Sequence, residues 1–181
     1  MENDAPAYQV RMAYISDAPA LSALIKSSMR HYCADSGIQY ELLESTHESL
    51  AAVENRITKH TCLCLTDEDD NIWGTVTLSF SNNPLKYSFS HKTEGYLSKF
   101  SKCAYISRFA VDASLRGTGL GTLLLNRANE IVKHSDCNLV LLHTALTNRE
   151  RCEYYSNRGY SVLDFEDSRG YPRGLFYLLL D

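Results

Sequence analysis

Between Leu21 and Tyr32 apolar residues recur at helical spacing (Leu21, Leu24, Ile25, Met29, Tyr32), with Ser16 or Asp17 placed to cap the helix and a short extended stretch, Tyr8 to Tyr14, in front of it. Leu50, Val53 and Ile57 mark the inner stripe of another, otherwise polar helix, with Thr46 as its expected N-cap. The period then drops to two. Cys62 to Thr66 and Ile72 to Phe80 flank the turn DEDDN, and Ile72, Gly74, Val76, Leu78 and Phe80 alternate with more polar neighbours, which predicts an antiparallel hairpin. Residues 82 to 102 are polar and aromatic with no clear period and too long for a hairpin connection, so a functional lid or mobile loop is expected there. Ala104 to Val111 reads as a strand. Gly119 to Lys133 reads as a helix with Leu120, Leu123, Leu124, Ala128, Ile131 and Val132 inward, and LVLLHT as a strand apolar on both faces. A short helix from Asn148 to Asn157 stops near Gly159, and two strands, Tyr160 to Phe165 and Leu175 to Leu180, close the chain. The predicted order is β, α, α, three strands, α, β, α, β, β. That is an α/β protein with a mixed, mostly antiparallel sheet flanked by helices and one parallel β-α-β crossover.

Composition narrows the class. The chain has 181 residues and is 44% hydrophobic, which suits one domain spanning residues 1–181 with a sizeable core. No apolar run is long enough to span a bilayer, and Met1 to Ala7 lack the basic and apolar start of a secretory signal, so the expected address is cytoplasmic, with no membrane partner. A net charge of −4 without any basic block disfavours nucleic acid and is compatible with a cationic substrate. Six cysteines are scattered without a CxxC pair, and Cys62 and Cys64 face one side of a strand; buried free thiols, with no metal and no disulfide, are the expectation. The apolar closing stretch LFYLLL makes a homodimer through sheet edges or strand exchange unsurprising.

Three glycines within five positions, in SLRGTGLG from Ser114 to Gly121, carry the chemistry. A nucleotide-phosphate loop, a tight turn without ligand and a cradle for another pyrophosphate compete to explain them. The dinucleotide fingerprint fails because Thr122 stands where its third glycine should be, and a P-loop fails because no lysine follows Gly121. What remains is Arg116-x-x-Gly119-x-Gly121 opening an amphipathic helix, as an anion site or as a glycine-rich helix entry that holds nothing. There the free backbone N–H groups and the positive end of the helix dipole suit an anion, to which Arg116 adds a charge-assisted contact.

Two stretches, SRFAVDASLRGTGLG and NRERCEYYSNRGYSV, together resemble the GNAT family of acyl-CoA-dependent N-acetyltransferases. SRFAVDASLRGTGLG is similar to that family's strand, loop and Arg/Gln-x-x-Gly-x-Gly/Ala signature. NRERCEYYSNRGYSV is similar to its asparagine, tyrosine and Gly-aromatic block, at Asn148, Tyr155, Gly159 and Tyr160. The element order resembles the family's over nearly the whole chain. The resemblance implies acetyl-CoA as co-substrate, and an open seam between the strand of Val111 and the strand of Leu141. It implies that the backbone of Phe109, Ala110 and Val111 pairs with the pantetheine arm, that Arg116, Gly117, Thr118, Gly119, Leu120, Gly121 and Thr122 hold the pyrophosphate, that Asn148 touches the cofactor arm, and that Tyr155 sits by the thioester sulfur as the catalytic proton donor.

The stretch Tyr105, Ile106, Ser107, Arg108 departs from the family, many members of which carry a glutamate there that relays a proton from the amine through water. Glu94, His91 and His143 are the other candidates for that task, against the plain alternatives of a solvated loop acid and a core histidine. The function expected is direct transfer of acetyl from acetyl-CoA to a primary amine on a small molecule or peptide, in a ternary complex. The alternative is a CoA or acyl-CoA binding module on the same fold. Another acyl group or an aminoacyl-tRNA donor is a third reading, the latter disfavoured by the lack of a basic tract.

Overall fold

The computed structural model describes residues 7–181, so the reading of the chain's start falls outside it except for Ala7. Seven strands make one sheet in the order β1-β2-β3-β4-β5-β7-β6. β1 (Gln9–Met12), β2 (Thr61–Thr66), β3 (Ile72–Ser81) and β4 (Cys103–Val111) pair antiparallel in succession. β5 (Leu139–Ala145) runs parallel to β4, and β7 (Arg173–Leu179) and β6 (Ser161–Glu166) complete the sheet antiparallel. The single parallel pair requires a crossover, supplied by α4 (Leu120–Lys133). The other helices are α1 (Ala18–Ser36), α2 (Leu50–Lys59), α3 (His91–Leu97) and α5 (Arg149–Ser156). The expected mixed sheet with one parallel crossover is therefore the fold observed.

The run from Leu139 to Leu142 is apolar on both faces because both faces are covered. On one side Val140 and Leu142 pack with Leu124, Leu125, Ala128 and Val132 of α4; on the other Leu139 and Leu141 pack with Leu97 and the aromatics around it. All six cysteines are free thiols, five of them buried. Among the described residues no helix is long and apolar enough to cross a membrane, and no group of three His, Cys, Asp or Glu could hold a metal.

Four expectations need correction. Residues 82 to 102 are neither lid nor free loop: they form a 3-10 turn, Pro84–Tyr87, then α3, and Leu97 is fully buried. Tyr87 stacks on Tyr105 with ring centroids 4.2 Å apart, and Phe89 on His143 at 4.6 Å, so the segment covers one face of the sheet. A seven-residue helix with Gly95 inside it is too short to show a period, and its apolar partners are distant in sequence. Thr46 does not cap α2, because its hydroxyl donates to the carbonyls of Tyr40 and Leu43; Ser49 is the cap and accepts from the Ala52 N–H at 3.2 Å. Two leucines expected on inner helix faces lie outward, Leu123 of α4 at 43% exposed and Leu50 of α2 at 46%. The closing strand β7 is paired on both sides, so the free edges are β1 and β6, and LFYLLL offers no edge for a dimer.

If α3 is part of the core, Leu97→Ala should cost about 2–5 kcal/mol in urea unfolding; a loss within about 0.5 kcal/mol, the range of ordinary surface substitutions, would return the segment to the surface.

Candidate functional site at an open seam in the sheet

β4 and β5 pair only through Ala104–Val140, Tyr105–Leu141 and Ile106–Leu142, and beyond that they part. The splay that the family resemblance implied is thus present. It leaves backbone groups of both strands without sheet partners, and buried groups of that kind must be satisfied otherwise. Helix α1 does much of this from one face: Ser28 Oγ donates to the Val111 carbonyl at 3.3 Å, the Tyr32 hydroxyl accepts from the Ala145 N–H at 2.7 Å, and Ser36 Oγ accepts from Asn148 Nδ2 at 3.0 Å. Positions four apart share a helix face, which is why three short or aromatic polar side chains on α1 can reach across one gap. From α5, Arg151 donates to the Phe109 carbonyl at 3.3 Å.

Two cavities meet at this seam. The larger, about 360 Å³, is lined by Phe109, Ala110, Val111, Arg116, Gly117, Gly119, Gly121, Thr122 and Asn148, nine of the residues singled out from sequence. Gly119 is the N-cap of α4 with φ +85°, and Gly117 has φ +76°, both in the region that side chains with a Cβ avoid. Among the described residues, the N–H groups of Gly117, Gly119, Leu120, Gly121 and Thr122 donate to no backbone carbonyl. Two further polar atoms in this wall are buried without a partner, the Tyr154 hydroxyl and Arg158 Nε. A row of free amides beside an orphaned hydroxyl and guanidinium N–H fits an anionic ligand arm such as a CoA pyrophosphate.

Details of the cradle differ from the sequence reading. The Thr118 hydroxyl is turned onto the Leu115 carbonyl and Leu120 packs into the core, so neither side chain lines the cavity. Arg116 pairs with Asp35 of α1 at 3.2 Å, both side chains well exposed, so its charge is partly neutralised. Asn148 lines the wall, but its oxygen caps α5 through the Arg151 N–H and its nitrogen goes to Ser36, so its polar ends serve the fold. Arg158, missed from sequence, stacks 3.6 Å above the Tyr154 ring and donates to Thr122 Oγ1.

The smaller cavity, about 180 Å³, lies beyond the seam and shares Phe109 and Arg151 with the larger. Tyr155 lines this one, while its neighbour Tyr154 lines the other. Adjacent residues on a helix point about 100° apart, and the two rings cross edge to face at 5.5 Å. Burial pushes the Tyr155 phenol above its ordinary pKa, so it stays protonated. Arg108 also reaches this cavity, from a position that is unusual for its backbone. Thr75 pairs with Ala110 and Thr77 with Ser107, so β4 carries one extra residue, and Arg108 sits in that bulge with φ +52°.

Of the base candidates, His91 and Glu94 pair with each other on the outer face of α3, and neither lines a cavity. His143 does line the smaller one. Its Nε2 lies 3.2 Å from the Tyr87 carbonyl and so carries the hydrogen, which leaves Nδ1 to accept from the Tyr105 hydroxyl at 2.8 Å. Burial, with Arg173 nearby, pushes this imidazole down to about 4, while burial pushes Tyr105 up to about 12; at neutral pH both are uncharged and His143 is a weak base.

The family model for the acetyltransferase (GNAT) family matches residues 27–160, and the chain belongs to this family. Over 82 residues it is 35% identical to human N-alpha-acetyltransferase 30; the match covers 45% of this chain, which spans only 22% of that relative's length. Its fold is similar to that of the PaiA N-acetyltransferase from Thermoplasma acidophilum in complex with coenzyme A, with TM-score 0.74 and 18% identity over 96% of this chain and 99% of the other. It is also similar to YncA of Salmonella typhimurium with its cofactor acetyl-CoA, with TM-score 0.65 and 16% identity over 97% and 95%.

Two substitutions separate the cradle from a bare turn. Gly119→Val should lower CoA affinity at least tenfold by calorimetry with the far-UV spectrum retained, because valine cannot hold φ +85° and the amides turn away. Asp35→Asn should tighten CoA about two- to fivefold by removing a carboxylate from the pyrophosphate's surroundings, the small size reflecting solvent screening of an exposed pair. Unchanged affinity in both would place the anion elsewhere.

Proposed function

We propose that the chain is an N-acetyltransferase that moves the acetyl group of acetyl-CoA to a primary amine by direct attack, with donor and acceptor bound together. The observation that carries this reading is the pair of cavities on either side of one seam, sharing Phe109 and Arg151: a donor thioester in the larger and an amine in the smaller would meet there. The name of the relative that is 35% identical assigns its chemistry to an α-amine, and an α-amine is the nucleophile taken here.

Acetyl-CoA supplies an activated acyl carbon; the chain binds, orients and moves protons. The free amides of Gly117, Gly119, Leu120, Gly121 and Thr122, with Arg158 and Tyr154, hold the anionic end. The β4 backbone from Phe109 to Val111 aligns the arm, and a backbone N–H near Val111 faces the oxygen that gains charge as the amine attacks. The carbon–sulfur bond then breaks as the new amide forms; the thiolate takes the proton of Tyr155, and the proton lost by the attacking nitrogen returns through water to the tyrosine, so that amine and thioester end as amide and thiol. The amine must arrive neutral. No carboxylate at the start of β4 does this. Instead Arg108, Arg151, Arg169 and Arg173 line the acceptor cavity; Glu48, Glu44 and Glu166 pair with three of them, Glu48 being shared with Arg56, and the positive charge left over, with His143 neutral, lowers the pKa of a bound ammonium, which gives its proton to water.

Purified protein with acetyl-CoA and a panel of amines should release CoA thiol and add one acetyl group to an acceptor by mass spectrometry; tight CoA binding without any release would favour the binding module. Within an active protein the adjacent tyrosines should divide the labour. Tyr155→Phe should lower turnover roughly ten- to a thousandfold with CoA affinity kept. Tyr154→Phe should weaken CoA a few-fold with turnover kept, since Tyr154 lines the donor cavity and its buried hydroxyl has no partner in the protein. Identical behaviour of the two would remove the proton-donor role.

A further inference from the structure

The acceptor cavity has a chemistry of its own. Four arginines line it in a chain whose net charge is −4. Two of them are held by carboxylates of their own: Arg173 holds Glu166 through Nε and a terminal nitrogen, and Arg169 donates to Glu44 at 2.7 Å. Arg151 donates once, to the Phe109 carbonyl, and lies over the Tyr32 ring. Arg108 has only a share in a carboxylate. Its sole hydrogen bond among the described residues runs from Nε to Glu48 at 3.4 Å, and that carboxylate already takes two shorter bonds from Arg56, at 2.9 and 3.2 Å. Burial pushes Glu48 up, but Arg56 and Arg108 outweigh it and hold the carboxyl below its ordinary range, so it stays ionised and spoken for. Both terminal nitrogens of the Arg108 fork are left without a protein acceptor, on a side chain 24% exposed.

The backbone beneath this fork is held in a conformation an arginine rarely adopts. A β-bulge with φ +52° is a position for glycine, and a residue with a Cβ there costs about 1–2 kcal/mol. The bulge nonetheless carries an arginine, whose head reaches the acceptor cavity immediately after the point where β4 leaves β5. A planar fork with two free N–H edges matches a carboxylate in bidentate fashion. The cavity, at about 180 Å³, is smaller than the about 300 Å³ at which drug-sized sites begin, so the part of an acceptor seated in it is small.

Resting on the acetyltransferase reading above, we propose that the acceptor is a small amine bearing a carboxylate beside it, of the α-amino acid class, and that Arg108 is the residue that binds that carboxylate. The anchor places the α-amine at the seam and discriminates against two other kinds of acceptor. A polyamine meets like charge. A peptide N-terminus presents an amide where the carboxylate should be and leaves the fork unpaired.

The test compares L-α-amino acids with their α-carboxamides, which keep the amine and lose the charge, alongside spermidine and a short peptide. Binding to the protein–CoA complex is read by calorimetry and turnover by thiol release. At least one amino acid should bind and react at least thirtyfold better than its carboxamide, and better than spermidine or the peptide. Arg108→Gln should collapse that ratio to within threefold of unity. Arg108→Gly should do the same while raising or preserving the melting temperature, since glycine accepts φ +52° freely; a merely structural arginine would instead leave the ratio alone. Carboxamide, peptide or polyamine acetylated as well as any amino acid would overturn the proposal and leave the transferase reading intact. Amino acid binding that depends on Arg108 with no turnover of any amine would uphold the carboxylate site and overturn the transferase reading.

Discussion

A sheet that opens in its middle has to satisfy the backbone it exposes, and the rest of this structure is arranged around that requirement. Past Ile106 and Leu142 the two central strands have no ladder between them. Each buried N–H or C=O left alone there would cost about 1–3 kcal/mol. Ser28, Tyr32 and Ser36, four residues apart on α1, hold β4, β5 and the start of α5 respectively, and Arg151 closes on Phe109 from the other side. These contacts tie the edges of the seam to α1 and α5. They also explain why the chemistry gathers there: the glycine cradle opens α4 a few residues after β4 ends, and α5 begins a few residues after β5 ends. Both helices start on the same side of the gap because both strands run the same way.

The seam also sorts adjacent residues into different roles. Tyr154 and Tyr155 follow one another on α5 but line different cavities. Phe109 follows Arg108 at the bulge in β4, and one lines both cavities while the other reaches only the smaller. A helix turn and a strand bulge thus make the division between the two cavities.

Much of this was legible in the sequence where a residue type has few other uses. The closely spaced glycines behind Arg116 specified a helix entry with free amides, and Gly117 and Gly119 have the positive φ that only glycine adopts readily. The strand apolar on both faces announced the parallel crossover, and the Asn148 to Gly159 register separated Tyr155 from a chain of 12 tyrosines. What stayed hidden depends on contacts distant in sequence. The helix at His91–Leu97 is one short polar stretch until the sheet face it covers is known. Arg108 reads as an ordinary strand residue, since nothing local signals the bulge that Thr75 and Thr77 impose on it. Asn148 and Arg116 were found by pattern, yet their partners, Ser36 and Asp35 on α1, lie more than 80 residues away.

None of this chemistry follows unless the donor binds at the seam. Hydrogen exchange read by mass spectrometry, with and without CoA, addresses that directly. On addition of CoA, peptides covering Phe109 to Thr122 should exchange more slowly, by at least tenfold at Gly117, Gly119, Leu120, Gly121 and Thr122, because the ligand supplies acceptors for amides that have none in the protein, while peptides from β1 and β2 keep their rates. Protection confined to another surface, with Phe109 to Thr122 exchanging as before, would contradict it.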